Sequence, residues 1–267
     1  MRVLEPEYYG GTTSPPARVG RALLLCLRNA GRALCIIAEA FMWLPLVWHN
    51  RRELRRQVVL CGIKSFGVTA TVALFTGMIL ALQAGLILRD YGQAMRVGTL
   101  VAQTMCREMG PFMTALILAA SVGSAMAAEL GTMSVSEEVS ALQVMSINPV
   151  RFLVTPRLAA LLFMCPVLTV YTNVVGILGG MLVARTQLQV DSEAYYRAAL
   201  DLLHNKEVYV GLLKSVVFAV ILCTVACYQG LSARNGALGV GRATRKTVVH
   251  SFLLILVVGY FITRLFY

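Results

Sequence analysis

Arg107 and Glu108 are the two residues most suited to chemistry. Residues 94–106 before them are mostly uncharged, with Val97, Leu100, Val101 and Met105 at near-helical spacing. The pair therefore rides on an apolar helix. An ionisable group at membrane depth is costly, and it faces a cavity or a partner. Neighbours on a helix point about 100° apart, so the two cannot meet one partner in the same way. Two chemistries fit. One is an interhelical ion pair that holds a bundle together. The other is an arginine that meets an anionic headgroup while the glutamate positions it or gates a cavity.

Other reactive types are scattered. The seven cysteines include no C-x-x-C, and most lie in apolar runs, where cysteine acts as a small hydrophobe. His49, His204 and His250 lie far apart, none with a second ligand at metal-site spacing. Neither a metal site nor a disulfide framework is expected. The glycine-rich run from Gly236 to Ala243 places Arg242 and Ala243 where a phosphate loop needs lysine and a hydroxyl. No nucleophile–base pair shows in the spacing. No catalytic residue is assigned, and a non-enzymatic role is expected.

The elements that position Arg107 and Glu108 follow from charge. Of 267 residues, 58% are hydrophobic and 14% charged, against about 25% charged in a soluble domain. The net charge of +11 would point to nucleic acid on a soluble chain. Here it points to an anionic membrane surface. Uncharged runs of 24, 20, 27, 19 and 17 residues lie between Lys64 and Arg89, Glu108 and Glu129, Arg157 and Arg185, Lys214 and Arg234, and Lys246 and Arg264. A helix needs about 20 residues to cross the hydrocarbon. The expected fold is an all-α integral membrane protein with five spans, at about 65–88, 94–128, 158–184, 210–233 and 247–266. Residues 1–57 form an N-terminal arm before this domain at 58–267. Within the arm, residues 33–48 are apolar but short, with Trp43 and Trp48 suited to the water–lipid boundary. An interfacial helix is expected there, with a sixth span as the alternative.

Basic residues orient the spans. Segments 1–64, 129–157 and 234–246 carry ten, two and four basic residues against four, three and no acidic ones. The segments between them are nearly balanced. The excess places the N-terminus in the cytoplasm and the C-terminus outside. Segment 129–157 breaks the pattern by being slightly acidic. Ser134 to Glu137 reads as a capping box, which would start a helix. Val135, Val139 and Leu142 share a face, and Asn148-Pro149 ends the helix. The segment is either a solvated connector or a docking element for a soluble partner. Small residues crowd the second span (Ser121, Gly123, Ser124, Ala125) and the third (Gly176, Gly179, Gly180). They suit close helix packing, within one chain or between two.

Several motifs together resemble the MlaE (YrbE) permease family. They are Arg107-Glu108-Met109-Gly110-Pro111, Gly123-Ser124-Ala125, Ala128-Glu129-Leu130-Gly131-Thr132-Met133, Glu137-Glu138 and Met145-Ser146-Ile147-Asn148-Pro149. Gly77 to Gln83 upstream, and Lys214 to Phe218, Gly239 to Thr244 and Thr247 to Ser251 downstream, extend the likeness over about 60–260. Two positions depart: Ser121 stands where the family often has arginine, and Glu137-Glu138 replaces Glu-Gln.

The resemblance implies a membrane subunit of an ABC transporter that moves lipids between the inner membrane and the outer envelope. It implies a homodimer, a cytoplasmic ATPase dimer and an MCE-domain binding protein. ATP and Mg²⁺ would belong to the ATPase, with no cofactor in this chain. Residues 134–147 would be the coupling helix, with Ser134, Glu137, Glu138, Leu142 and Met145 at the ATPase. Arg107 and Glu108 would face an outward lipid cavity. Met78, Leu80, Leu82, Gln83, Leu88 and Tyr91 would form its apolar wall. The location would be the bacterial inner membrane, with a periplasmic C-terminus. The rival readings are a scaffold that anchors an MCE protein without forming a route, and an intramembrane enzyme acting on lipid.

Overall fold

The computed structural model describes residues 15–201 and 205–267. Regular structure among them is helical, without strands. Five helical stretches are long and apolar enough to cross a membrane: Arg51–Asp90, Ala94–Val135, Val150–Gln187, Asn205–Leu231 and Gly236–Phe266. The shortest has 27 residues, or about 40 Å at 1.5 Å per residue, longer than the hydrocarbon core. Helix is the expected form for such runs because it pairs every backbone group internally.

The first stretch joins α2 (Arg51–Cys61) to α3 (Ile63–Asp90). The second comprises α4 (Val97–Thr104), α5 (Gly110–Leu118) and α6 (Ser124–Val135). Wide turns with i→i+5 bonding separate its three parts, at Met105–Met109 and Ala119–Gly123. Such turns interrupt helices most often at functional positions. The short α7 (Glu138–Val144) follows, and a third wide turn, Val150–Val154, leads into α8 (Thr155–Gln187). Helix α9 (Ser192–Asp201) precedes α10 (Asn205–Leu231) and α11 (Gly236–Phe266).

The N-terminal helix is longer than expected. Helix α1 runs over Pro15–Met42, and a tight helical turn, Leu44–Asn50, follows. Pro45 lacks the N–H that would continue α1, so the chain breaks at Trp43. Ile37 and Ala40 are buried, whereas Leu24, Leu27, Leu34 and Met42 are exposed. That division suits a helix lying along the bilayer surface. Among the described residues this helix does not qualify as a sixth span. The side chain of Trp48 lies outside the described residues.

The third-span glycines serve packing inside the chain. A Cβ on Gly77 would come within 1.8 Å of Gly176 O, and one on Gly179 within 2.5 Å of Leu74 O. Helices α3 and α8 therefore touch backbone to backbone. Across the bundle, Thr114 and Thr172 share a buried hydrogen bond of 2.8 Å. Helix α9 folds back over α4: Thr99 Oγ1 donates to Ala198 O at 2.7 Å, and Tyr195 OH to Ile177 O at 3.2 Å. Burial pushes the Tyr195 hydroxyl pKa up. This clamp holds the chain that leads into the Met105–Met109 turn.

The opposite half is tied by Arg157, whose Nη2 donates to Glu129 Oε2 at 3.0 Å and Nη1 to Leu153 O at 2.7 Å. Arg157 is buried and Glu129 is half-exposed. Removing the buried partner frees a carboxylate that water can reach. Removing Glu129 strands a buried cation, which costs about 3–5 kcal/mol. Glu129→Ala is thus expected to lower the melting temperature of the purified protein more than Arg157→Met. The reverse order in a thermal unfolding assay would contradict this.

Candidate functional site: the Arg107–Glu108–Lys214 cluster

The site begins with a missing donor. Pro111 has no N–H for the carbonyl four residues back, that of Arg107. The helix widens there, and the carbonyl is taken by a side chain instead. Lys214 Nζ, from α10, donates to Arg107 O at 3.1 Å. It also donates to Thr263 Oγ1 of α11 at 2.7 Å and meets Glu108 Oε2 at 2.7 Å. An ammonium has three donors, and all three are used. The Lys214 side chain is 1% exposed, so its charge depends on Glu108 for compensation.

The second carboxylate oxygen is held too. Thr263 Oγ1 lies 2.9 Å from Glu108 Oε1 and 2.9 Å from Gly259 O, and its one proton serves either acceptor. Three spans are joined through one carboxylate. Arg107 stands apart from this lock. Its Nε is 3.8 Å from Glu108 Oε1, and its guanidinium carbon lies 3.3 Å from the centre of the Tyr267 ring. Lys206 Nζ approaches the same ring at 4.7 Å. Arg107 and Lys214 both meet the one Glu108 carboxylate, and a buried acid, Glu207, follows Lys206 in the first turn of α10. Arg107, one-third exposed, is the cation with room for a further anion.

Beside the cluster lies a cavity of about 360 Å³. Glu108, Lys214 and Thr263 form its polar end, and Met109, Phe112, Phe218, Ile255, Leu256 and Tyr260 belong to its apolar wall. An apolar cleft with a charged end suits an amphiphile.

The structure divides the expected site residues. Glu108 lines this cavity and forms an interhelical ion pair with Lys214, whereas Arg107 contacts Glu108 at 3.8 Å without lining the cavity. The first-span residues do not line it. Met78, Leu80, Leu82 and Leu88 pack instead with Val97, Val101 and Met105 around Ala81. Gln83 is exposed, and Tyr91 is exposed beyond the end of α3. Met109 touches both groups. Neither Lys214 nor Thr263 carries a local sequence pattern that marks it as a partner of Glu108. The usable signal was Pro111, which leaves a carbonyl inside an apolar span needing a donor.

The acidic segment takes a different local form from the capping box. Ser134 lies near the end of α6, and its hydroxyl is within 3.2 Å of Leu231 O and 3.4 Å of Ala233 O. It pins α6 to the end of α10 and caps nothing. Glu137 adopts a left-handed backbone (φ 62°), and α7 starts at Glu138, whose carboxylate accepts from Ser136 Oγ at 2.9 Å. Val139 and Leu142 turn inward. Glu137, Glu138, Val144 and Met145 face out, Val144 at 86% exposure. Asn148 closes the segment: its Oδ1 accepts from Val150 N at 2.9 Å, and its Nδ2 donates to Glu39 Oε1 at 2.6 Å.

Comparison with known proteins agrees with this architecture. Residues 54–265 match the family described as permease MlaE. A probable ABC transporter permease of Rickettsia prowazekii is 38% identical over 212 residues, covering 79% of this chain and 82% of that one. A probable ABC transporter permease of Synechocystis is 33% identical, covering 92% and 94%. The intermembrane phospholipid transport system permease protein MlaE of Haemophilus influenzae is 31% identical over 250 residues, covering 93% and 96%. With a family match over most of its length and five membrane-length helices, the chain belongs to the MlaE family of ABC transporter permeases.

Proposed function

We propose that this permease moves phospholipid between the inner membrane and the outer envelope, as one half of a homodimer. The observation that carries this reading is an apolar cavity whose polar end holds Glu108 and Lys214, with the part-exposed cation Arg107 in contact with that same carboxylate. A phosphate headgroup meets Arg107, and acyl chains meet Phe112, Phe218 and Leu256. Glu108, locked to Lys214, holds the turn that aims Arg107. The name of the Haemophilus relative supports the substrate class. The exposed face of α11, with Val249, Phe252, Leu253, Val257 and Tyr260, is where the second copy seats.

The N-terminus and α7 face the cytoplasm, and the C-terminus faces the periplasm. An ATPase dimer carries ATP and Mg²⁺ and grips α7. An MCE-domain protein receives or delivers lipid outside. ATPase closure moves α7, and the Ser134 tie passes that motion from α6 to α10, the helix that bears Lys214. The partner drives the change only by binding two states of the permease differently.

Photocrosslinking tests the cavity. A benzoylphenylalanine at Leu256 is expected to capture phospholipid from vesicles, and one at Ala141 on α7 is not. Equal capture at both positions would overturn a defined lipid cavity and favour a scaffold.

A further inference from the structure

A second cavity, of about 610 Å³, lies in the half of the bundle remote from Arg107. Its floor is the chain that joins α7 to α8, including Ile147 and Asn148. Leu46 and Val47, from the turn after α1, face Phe152 across it. Arg151 and Trp43 form its rim, the guanidinium 4.8 Å from the ring centre. Among the described residues no carboxylate pairs with Arg151. The acid of α1 that reaches this segment, Glu39, is taken by Asn148.

The chemistry of this cavity is that of an amphiphile site at a membrane surface. Tryptophan and arginine collect at the headgroup level. An unpaired guanidinium beside apolar walls fits a phosphate with an acyl chain attached. The cavity also lies beside the turn after α1, the helix whose buried and exposed residues suit the bilayer surface.

We propose that this cavity binds one anionic phospholipid of the cytoplasmic leaflet, its phosphate on Arg151 and an acyl chain along Leu46, Val47 and Phe152. This site is separate from the transport cavity. Because its floor directly follows α7, a bound lipid braces the docking helix and ties its position to the lipid around it. Only the choice of leaflet rests on the orientation proposed above.

The test uses the permease–ATPase complex in nanodiscs of phosphatidylglycerol and phosphatidylcholine, with benzoylphenylalanine at Phe152. Phosphatidylglycerol is expected to be captured in preference. Arg151→Glu lowers that capture at least about tenfold, the scale of one lost hydrogen bond between charged groups. Arg151→Gln, which keeps a planar group against Trp43, levels the two lipids. Arg107→Ala leaves capture unchanged. Equal capture of both lipids by the unmodified cavity would overturn the proposal. So would loss of capture in Arg107→Ala, which would make this part of the transport route. Displacement by excess inorganic phosphate would reassign it to a soluble anion. Labelling of a cysteine at Ser146 by an impermeant reagent from the outer side would overturn the leaflet and the orientation, while leaving the capture result intact.

Discussion

Glu108→Ala costs the folded permease about 3–5 kcal/mol, because it leaves the Lys214 ammonium buried without a counter-charge. Lys214→Met costs less, about 1.5–3 kcal/mol, the scale of lost hydrogen bonds to charged groups. Glu108 is part-exposed, so water solvates what lysine leaves behind. The double variant is expected to be more stable than Glu108→Ala alone, since the stranded cation is gone. Urea or thermal unfolding of the four proteins in detergent forms a double-mutant cycle. Additive losses would show that the two groups do not depend on each other. Arg107→Ala, by contrast, is expected to unfold near the unmodified temperature. Its guanidinium is one-third exposed, and its nearest carboxylate contact is 3.8 Å. Stability and transport are thus expected to separate on adjacent residues.

The second large effect lies at α7. Val144 and Met145 are exposed apolar residues on a short helix, and the inward face is already filled by Val139 and Leu142. An exposed apolar patch rimmed by polar residues marks a protein contact. Val144→Asp with Met145→Asp is expected to lower copurification of the ATPase at least about tenfold, because each buries an unpaired charge at the contact. Glu137→Lys with Glu138→Lys weakens it less, since rim charges act mainly on encounter. The permease itself stays folded, because none of the four side chains is buried. Full copurification of the aspartate variant would remove α7 from the docking role.

The five spans were legible because charged residues are rare in this chain and fence the apolar runs. Their ends were less so. The fourth span, expected at about 210–233, begins earlier, since α10 starts at Asn205 and carries Lys214 deeper inside. A buried lysine satisfied by partners on two other helices leaves no local pattern. The wide turn at Met105–Met109 was equally silent, although Pro111 announces the unpaired carbonyl that shapes it. Ser134 followed the capping pattern, but α6 continued to Val135 and its hydroxyl found the carbonyls of Leu231 and Ala233. Tertiary acceptors outcompeted the local cap. The small residues of α8 left two readings open, and the 1.8 Å clearance at Gly77 shows packing within the chain. The residues of α3 matched a family motif, but Met78, Leu80, Leu82 and Leu88 pack with Val97, Val101 and Met105 and do not line the cavity beside Glu108.

We expect Arg107 to belong to a lipid path coupled to ATP hydrolysis. The most direct test is ATP hydrolysis by the permease copurified with its ATPase, with and without added phospholipid, in the unmodified protein and in Arg107→Ala. Phospholipid is expected to stimulate hydrolysis, and Arg107→Ala to remove the stimulation while the basal rate and the assembled complex persist. Stimulation of equal size in both proteins, or an intact complex indifferent to lipid, would contradict it.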